Sequence, residues 1–489
     1  MKNRNIVIHI IQILLIIFFT IAIVPKTFQN DTYFTISLGE NIINEGISKE
    51  EKLVWHEGLE FTNPRWLFDV IIYLLNEKCG FIGIYIFVII IAVIQSVLYY
   101  YILNKISKKK FLSFITSIGV IFVLQVEITA RAQLISFLLF LIEFYSIEQL
   151  LETNKKRYMI ILGILPYILC NIHASVFPMY FVIYLPYIAE FILSKINLKV
   201  DESSKILIQN RNIKSLVILI FIGILAGFCT PESVEPYTYI FKNIGGVSSA
   251  FIEELQALDI HGGLFMFCII FISIAIISFT KTKIRVTDAF FILGFALISL
   301  NTYRSIFFFY LISTICTFRI INDFLDTYKI DLTFITKKKQ LIGFIITYVC
   351  ILLISINSFI IRLQEEYLDY AKYPIIATDY ILNNVDIANM KLYNHFNFGS
   401  YLEYKGIKTF IDSRSEVYTE EFNSGTTIAL DWLAITDGEK HYQDIFNKYE
   451  ITHALLYATE IANIYIAEDS NWNLIYEDSN FALYERVEK

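Results

Sequence analysis

The sequence predicts a polytopic α-helical membrane protein of about eleven spans, N-terminus in and C-terminus out, with a small C-terminal extracytoplasmic α/β domain. Three observations lead there. The chain of 489 residues is 56% hydrophobic with a mean hydropathy of +0.55, a composition of membrane rather than soluble chains. Its apolar runs approach the roughly 20 residues that a helix needs to cross hydrocarbon. Every second loop between those runs is basic, which places one set of loops in the cytoplasm and the other outside.

The elements follow in order. A first span, 6–24, comes after Lys2 and Arg4; no small-x-small cleavage site precedes Pro25, so it reads as an uncleaved anchor. The outer loop 25–80 follows. It opens with a helix from Asp31 to about Ile43, which Asp31 is expected to cap. It closes with the amphipathic segment 65–78, an interfacial helix or a dipping segment. Further spans are expected at 81–103, 111–128, 132–150, 157–172, 174–193, 215–229, 263–280, 286–301, 305–321 and 341–361. The cytoplasmic loops hold Lys105, Lys108, Lys109, Lys110, Lys155, Lys156, Arg157, Lys199, Lys281, Arg285 and Lys337 to Lys339. A long outer loop, 230–262, and the whole tail then face outward. The transmembrane domain is expected over 1–371 and the extracytoplasmic α/β domain over 372–489.

In the tail the hydrophobic runs shorten to strand length. Lys391–Tyr393, Ser400–Tyr404, Lys408–Ile411, Ala454–Tyr457, Asn473–Tyr476 and Phe481–Tyr484 are predicted strands, with helices over 374–384, 419–433 and 439–449. No Gly-rich phosphate loop is present. The net charge of −7 argues against nucleic acid as a partner. Six cysteines without a CxxC pair indicate neither a disulfide framework nor a zinc site. The histidines carry no metal-ligand spacing, so no cofactor is indicated; a divalent cation held loosely on carboxylates stays an open alternative, and the metal is unassigned.

The polar residues that could carry chemistry gather on the outer side. Asp31 is either a helix cap or a carboxylate at the membrane edge that takes a proton from a hydroxyl. Arg131 and Arg304 stand at the outer starts of two spans. Each is a snorkelling anchor or a bidentate grip on phosphate. Asn171 and His173 lie between closely spaced spans, where such residues line protein interior or water. Glu253 and Glu254 form a carboxylate pair in the long outer loop, wet or cation-binding.

These residues fall into motifs: Gly39-Glu40-Asn41-Ile42, Arg65-Trp66-Leu67, Arg131-Ala132-Gln133, Asn171-Ile172-His173, Ile252-Glu253-Glu254 and Tyr303-Arg304-Ser305. The tail adds Phe396-Asn397-Phe398-Gly399-Ser400-Tyr401-Leu402 and Phe410-Ile411-Asp412-Ser413-Arg414 followed by Tyr418. Together they resemble the multispan glycosyltransferases of the GT-C type, in a bacterial branch of unassigned substrate related to the dolichyl-phosphate-mannose-type and lipid A aminoarabinose-type transferases. The resemblance implies a polyprenyl-phosphate-linked sugar donor in the cell membrane. It implies an envelope glycan, lipid or protein acceptor, and transfer on the extracytoplasmic face, commonly with inversion. It implies Asp31 as the catalytic base, and Glu40, Arg131, Gln133, Asn171, His173, Glu253 and Arg304 as substrate-binding residues. The first loop reads Asp31-Thr32-Tyr33 where a paired acidic motif would settle metal dependence.

Two other classes compete. A lipid or polysaccharide transporter or flippase would place charge at mid-membrane in broken helices, whereas these span centres read as nearly free of charge. A non-catalytic scaffold of envelope assembly would use the outer domain to bind partners and would tolerate loss of Asp31.

Overall fold

A computed structural model describes residues 2–196, 205–243, 246–330 and 338–487; Lys199 and Lys337 of the basic loops lie outside them. The chain divides into two compact units. The first comprises Met1–Lys26, Tyr85–Tyr237 and Glu253–Glu365, the second Thr27–Ile84, Thr238–Ile252 and Glu366–Lys489.

In the first unit every segment expected to span is helical. Among the described residues seven helical stretches are long and apolar enough to cross a membrane. Three more, Lys214–Ala226, Leu264–Phe279 and Val286–Asn301, are apolar but shorter. A helix of 16 residues reaches only about 24 Å at 1.5 Å per residue, short of a hydrocarbon core of about 30 Å. Length therefore supports seven spans outright where the sequence suggested about eleven. Large apolar side chains stay exposed along the helices. Ile82, Ile86, Ile90 and Ile94 recur every four residues on one flank of Trp66–Ile106, as a face turned to lipid requires.

The core of this unit is aromatic. Phe137 and Phe140 meet Phe308 edge to face at 5.4 and 5.2 Å, and Phe144 meets Phe291 at 5.4 Å. Phe308 precedes a π-helical turn, Phe309–Ser313, that is buried throughout. Two short strands, β1 (Ile206–Leu207) and β2 (Ile284–Arg285), pair in parallel beside an ion network. There Glu148 accepts from Arg319 at 2.8 Å and Arg285 at 3.2 Å, and Asp288 accepts from Arg285 at 2.8 Å and Arg319 at 2.7 Å. Arg211 adds a third guanidinium 3.8 Å from Glu148, and the network ties three helices at their basic-loop ends. Glu143, buried midway along Ala132–Thr153, departs from the expectation of span centres nearly free of charge.

The second unit joins the loop after the first helix to the tail. Helix Asn30–Glu45 lies against the helix beginning at Trp66, and Gly39 makes the approach possible: a Cβ there would sit 2.2 Å from the carbonyl oxygen of Asp69. The backbone breaks at Gly80, so the amphipathic segment 65–78 forms a helix of its own.

The tail sheet has four strands in the order β3-β4-β6-β5. Strand β3 (Leu392–Asn394) runs parallel to β4 (His453–Tyr457), while β6 (Phe481–Arg486) is antiparallel to both β4 and β5 (Trp472–Glu477). Central β4 is buried on both faces from His453 to Leu456, while β5 keeps one wet edge. Helices Ile375–Asn384, Ile428–Thr436 and Tyr442–Lys448 flank the sheet.

Two predicted strands do not form. Ser400–Tyr404 belongs to the helix Phe396–Tyr404, capped by His395, whose ring accepts from the Asn397 N–H at 3.0 Å. Its Phe398, Tyr401 and Leu402 are buried at helical rather than alternating spacing. Lys408–Ile411 contributes only a single bridge, Thr409 to Val54. That segment is held by Asn394 instead, whose side chain donates to the Ile411 carbonyl at 2.7 Å and accepts from the Phe410 N–H at 2.8 Å. Gly399 lets the segment pass, since a Cβ there would lie 2.1 Å from the Ile411 oxygen.

The most specific tail motif is thereby a structural knot. Arg414 is 1% exposed and its guanidinium meets three carboxylates. Glu51 accepts at 2.6 and 3.1 Å, Asp412 at 3.0 and 3.1 Å, and Glu403 at 3.3 Å. Tyr418 donates to Asp412 at 2.6 Å. Burial raises the Asp412 carboxyl, but Arg414 overrides it and holds it at about 2. Burial and the neighbouring Asp412 push Glu403 well above the usual range, so Glu403 is the neutral acid of the group.

Candidate active site

In the first unit Arg131 and Arg304 converge on one carboxylate. Arg131 precedes the helix Ala132–Thr153 in extended backbone conformation, and its fork meets Glu254 at 2.9 and 3.2 Å. Arg304 lies in the 3₁₀ turn Tyr303–Ser305 and reaches the same carboxylate at 3.0 Å. Glu254 sits in the 3₁₀ turn Glu253–Leu255. The backbone brings the two turns together: the Tyr303 N–H donates to the Gln256 carbonyl at 2.8 Å and the Leu258 N–H to the Leu300 carbonyl at 3.4 Å.

Arg131 is largely buried, while Arg304 and Glu254 are each about one-third exposed (35% and 34%), so the cluster opens to solvent on the Arg304 side. Burial would raise the Glu254 carboxyl. Arg304 and Arg131 overcome it and hold it down at about 2, so Glu254 is ionised throughout the physiological range. Two guanidiniums around one anion form a site for a doubly charged tetrahedral oxyanion as readily as for a carboxylate.

The other expected residues of this unit fall nearby in sequence but serve differently. His173 is buried, with Nδ1 2.8 Å from the Ser136 hydroxyl, one turn along the helix from Gln133. Gln133 is buried with both amide atoms lacking a hydrogen-bond partner among the described residues. Asn171 donates to the carbonyls of Tyr167 at 2.8 Å and Cys229 at 3.1 Å, tying two helix ends together. Glu253, expected as a substrate-binding residue, is exposed, and its neighbour Glu254 stands between the arginines. The Ile-x-Glu spacing points to Glu254 when counted from Ile252.

Asp31 and Glu40 belong to the second unit. Asp31 is not the cap of its helix. The helix starts at Asn30, Gln29 takes the cap position without a side-chain bond, and Asp31 stands in the first turn. A carboxylate there faces the positive end of the helix dipole. Asp31 is half-buried near Tyr373, whose phenol is pushed up by burial first and by the Asp31 charge second. Glu40 is exposed on the same helix. Asp69, fully buried and accepting from Asn63 at 2.8 Å, is a carboxylate that the sequence motifs did not single out. Among the described residues no three His, Cys, Asp or Glu side chains gather as metal ligands.

No family profile and no curated protein sequence matches the chain. Solved structures do. The oligosaccharyltransferase of Archaeoglobus fulgidus in its apo form superposes with a TM-score of 0.62 at 7% identity, over 91% of this chain and 69% of that one. The same enzyme tethered to an acceptor peptide with an NVT sequon gives 0.56 at 9% identity, over 91% and 68%. ArnT from Cupriavidus metallidurans in the apo state gives 0.53 at 9% identity, over 99% and 98%. The chain has the fold of the GT-C membrane glycosyltransferases. At these identities the likeness is one of fold. With the apolar helices, it makes the chain a multi-pass membrane protein.

Proposed function

We propose that this protein is a GT-C glycosyltransferase. It moves a sugar from a polyprenyl-phosphate donor to an acceptor hydroxyl on the extracytoplasmic face of the membrane. The observation that carries the proposal is the convergence of Arg131 and Arg304 on Glu254 in a chain of this fold. In the bound state the donor phosphate takes the place of the Glu254 carboxylate between the two forks. As the bond from the anomeric carbon to the phosphate oxygen breaks, charge grows on the leaving polyprenyl phosphate, and fixed guanidiniums stabilise it without reorganising.

Asp31 is assigned as the base. The acceptor oxygen gives up its proton to the carboxylate while it attacks the anomeric carbon. The position of Asp31 supports the role: it stands half-buried in the first turn of its helix, beside the Tyr373 phenol.

The test is transfer by the purified protein from a radiolabelled polyprenyl-phosphate sugar. Asp31→Asn keeps the size of the side chain, so expression and melting temperature are expected to hold while transfer falls by about two to four orders of magnitude. Transfer at the parent rate would remove Asp31 as the base. A parent without activity on any lipid-linked sugar would leave the scaffold reading in its place.

A further inference from the structure

The second unit holds a cavity of about 750 Å³ between the helices Ile375–Asn384 and Tyr442–Lys448 and the strands β5 and β6. Asp31 is not among its walls. Its size lies within the roughly 300–1,000 Å³ of small-molecule sites. Five side-chain amides line it: Asn384, Asn389, Gln443, Asn447 and Asn471.

Several are fixed by one end. Asp469 accepts from Gln443 at 2.7 Å and from Asn471 at 2.7 Å, and Asn384 donates to the Tyr380 carbonyl at 2.9 Å. These bonds orient the amide planes and leave the side-chain oxygens of Asn384, Gln443 and Asn471 without a protein donor among the described residues. A sugar hydroxyl is donor and acceptor at once, and an amide is the side chain that answers both.

The remaining walls are aromatic and acidic. Tyr380, Phe446 and Trp472 supply apolar surface, with Phe446 and Trp472 packed edge to face at 5.4 Å. Among the described lining residues Asp386, Asp469 and Glu485 outnumber the one cation, Arg486. The Arg486 guanidinium is already placed over the Trp472 ring at 5.9 Å and bonded to Asn447. His453 lines the cavity as well, and burial lowers its basicity. A surplus of carboxylates repels phosphates, nucleotides and acidic peptides. Amides for hydroxyls and rings for C–H faces suit an uncharged polyhydroxylated ligand.

We propose that this cavity binds the neutral sugar residues of a glycan, giving the second unit a carbohydrate-docking site of its own. The glycan would be of the acceptor class if the transferase proposal holds; the binding does not depend on it.

The test applies the full-length protein in phospholipid nanodiscs, free of sugar detergents, to an array of neutral oligosaccharides, with inorganic phosphate and a nucleotide as anionic competitors. Retention of a neutral glycan is expected, undisturbed by either anion. The double variant Asn384→Ala with Gln443→Ala, at two exposed positions, should weaken it about tenfold with an unchanged melting temperature, as the loss of two hydrogen bonds predicts. Asp31→Asn should retain it in full. An array without a neutral glycan held, an undiminished double variant, or displacement by phosphate or nucleotide would each overturn the proposal. Glycan binding by a parent that transfers no sugar would sink the transferase reading alone; transfer without glycan retention would sink this one alone.

Discussion

Replacing Glu254 by glutamine separates the two things a carboxylate can do between two arginines: hold them in place, or occupy the site of an incoming anion. Glutamine keeps the size and can still accept from one fork, so the turn Glu253–Leu255 should persist. The attraction it loses can be worked from the carboxyl itself. A glutamate held at about 2, against an ordinary value near 4.3, is bound by ~3 kcal/mol. Glu254 is 34% exposed, so water screens much of that, and ~1–2 kcal/mol is the working figure. A phosphate that must displace Glu254 is opposed by this amount. Glu254→Gln is therefore expected to tighten binding of a short polyprenyl phosphate by roughly 5- to 30-fold, read by titration calorimetry on the detergent-purified protein. Arg131→Lys and Arg304→Lys, which lose the planar fork, should move the affinity the other way. Unchanged or weaker binding in Glu254→Gln would refute the idea that carboxylate and phosphate compete for one place.

Other outcomes follow from the fold and the second unit. In a cysteine-free background, single cysteines at the exposed positions 57 and 439 should react with a membrane-impermeant thiol reagent in intact cells, and one at 108 should stay silent; the opposite pattern would invert the orientation. Arg414→Leu strands the buried Asp412 carboxylate beside its acidic neighbours Glu51 and Glu403 and should cost about 3–5 kcal/mol in denaturant unfolding of the second unit. Glu403→Gln, which imitates the neutral acid already there, should cost under about 1 kcal/mol at pH 7, and equal losses in the two variants would remove the knot. Burial lowers both His56 and His395 to about 4, below the unfolded value near 6.5. Below 6.5 the unfolded chain takes protons that the folded unit refuses, so stability is full above that pH and lost as pH falls toward 4. A melting temperature that stays flat from pH 7 to 4.5 would contradict this.

The helical frame was legible because hydrophobic length is a property of contiguous residues. The strands β4, β5 and β6 were legible for the same reason, each being a short apolar run between turns. Ser400–Tyr404 was misread because its β-prone aromatic run is set into a helix by the His395 cap and the Gly399 contact, neither visible in propensity. Helix lengths, not composition, separate the seven long stretches from the shorter ones. At the candidate site the sequence supplied both arginines but chose Glu253. Only the backbone bonds joining the turns at 253–258 and 300–305 decide which of two adjacent carboxylates points between the forks. The role of Arg414 was out of reach because Glu51, its partner, is a long way back along the chain.

That distance orders events during synthesis. Glu51 emerges 363 residues before Arg414. At about 5–20 residues per second the first loop waits on the order of 20–70 s for the cation that neutralises it. Over that interval Leu59 and Phe61, whose cluster includes Tyr418 and Ile445 of the tail, have no finished surface to close upon. The loop is thus delivered early and completed last, and a ribosome that stops before residue 414 releases a chain whose first loop lacks both the cation for Glu51 and the later tail residues of its cluster.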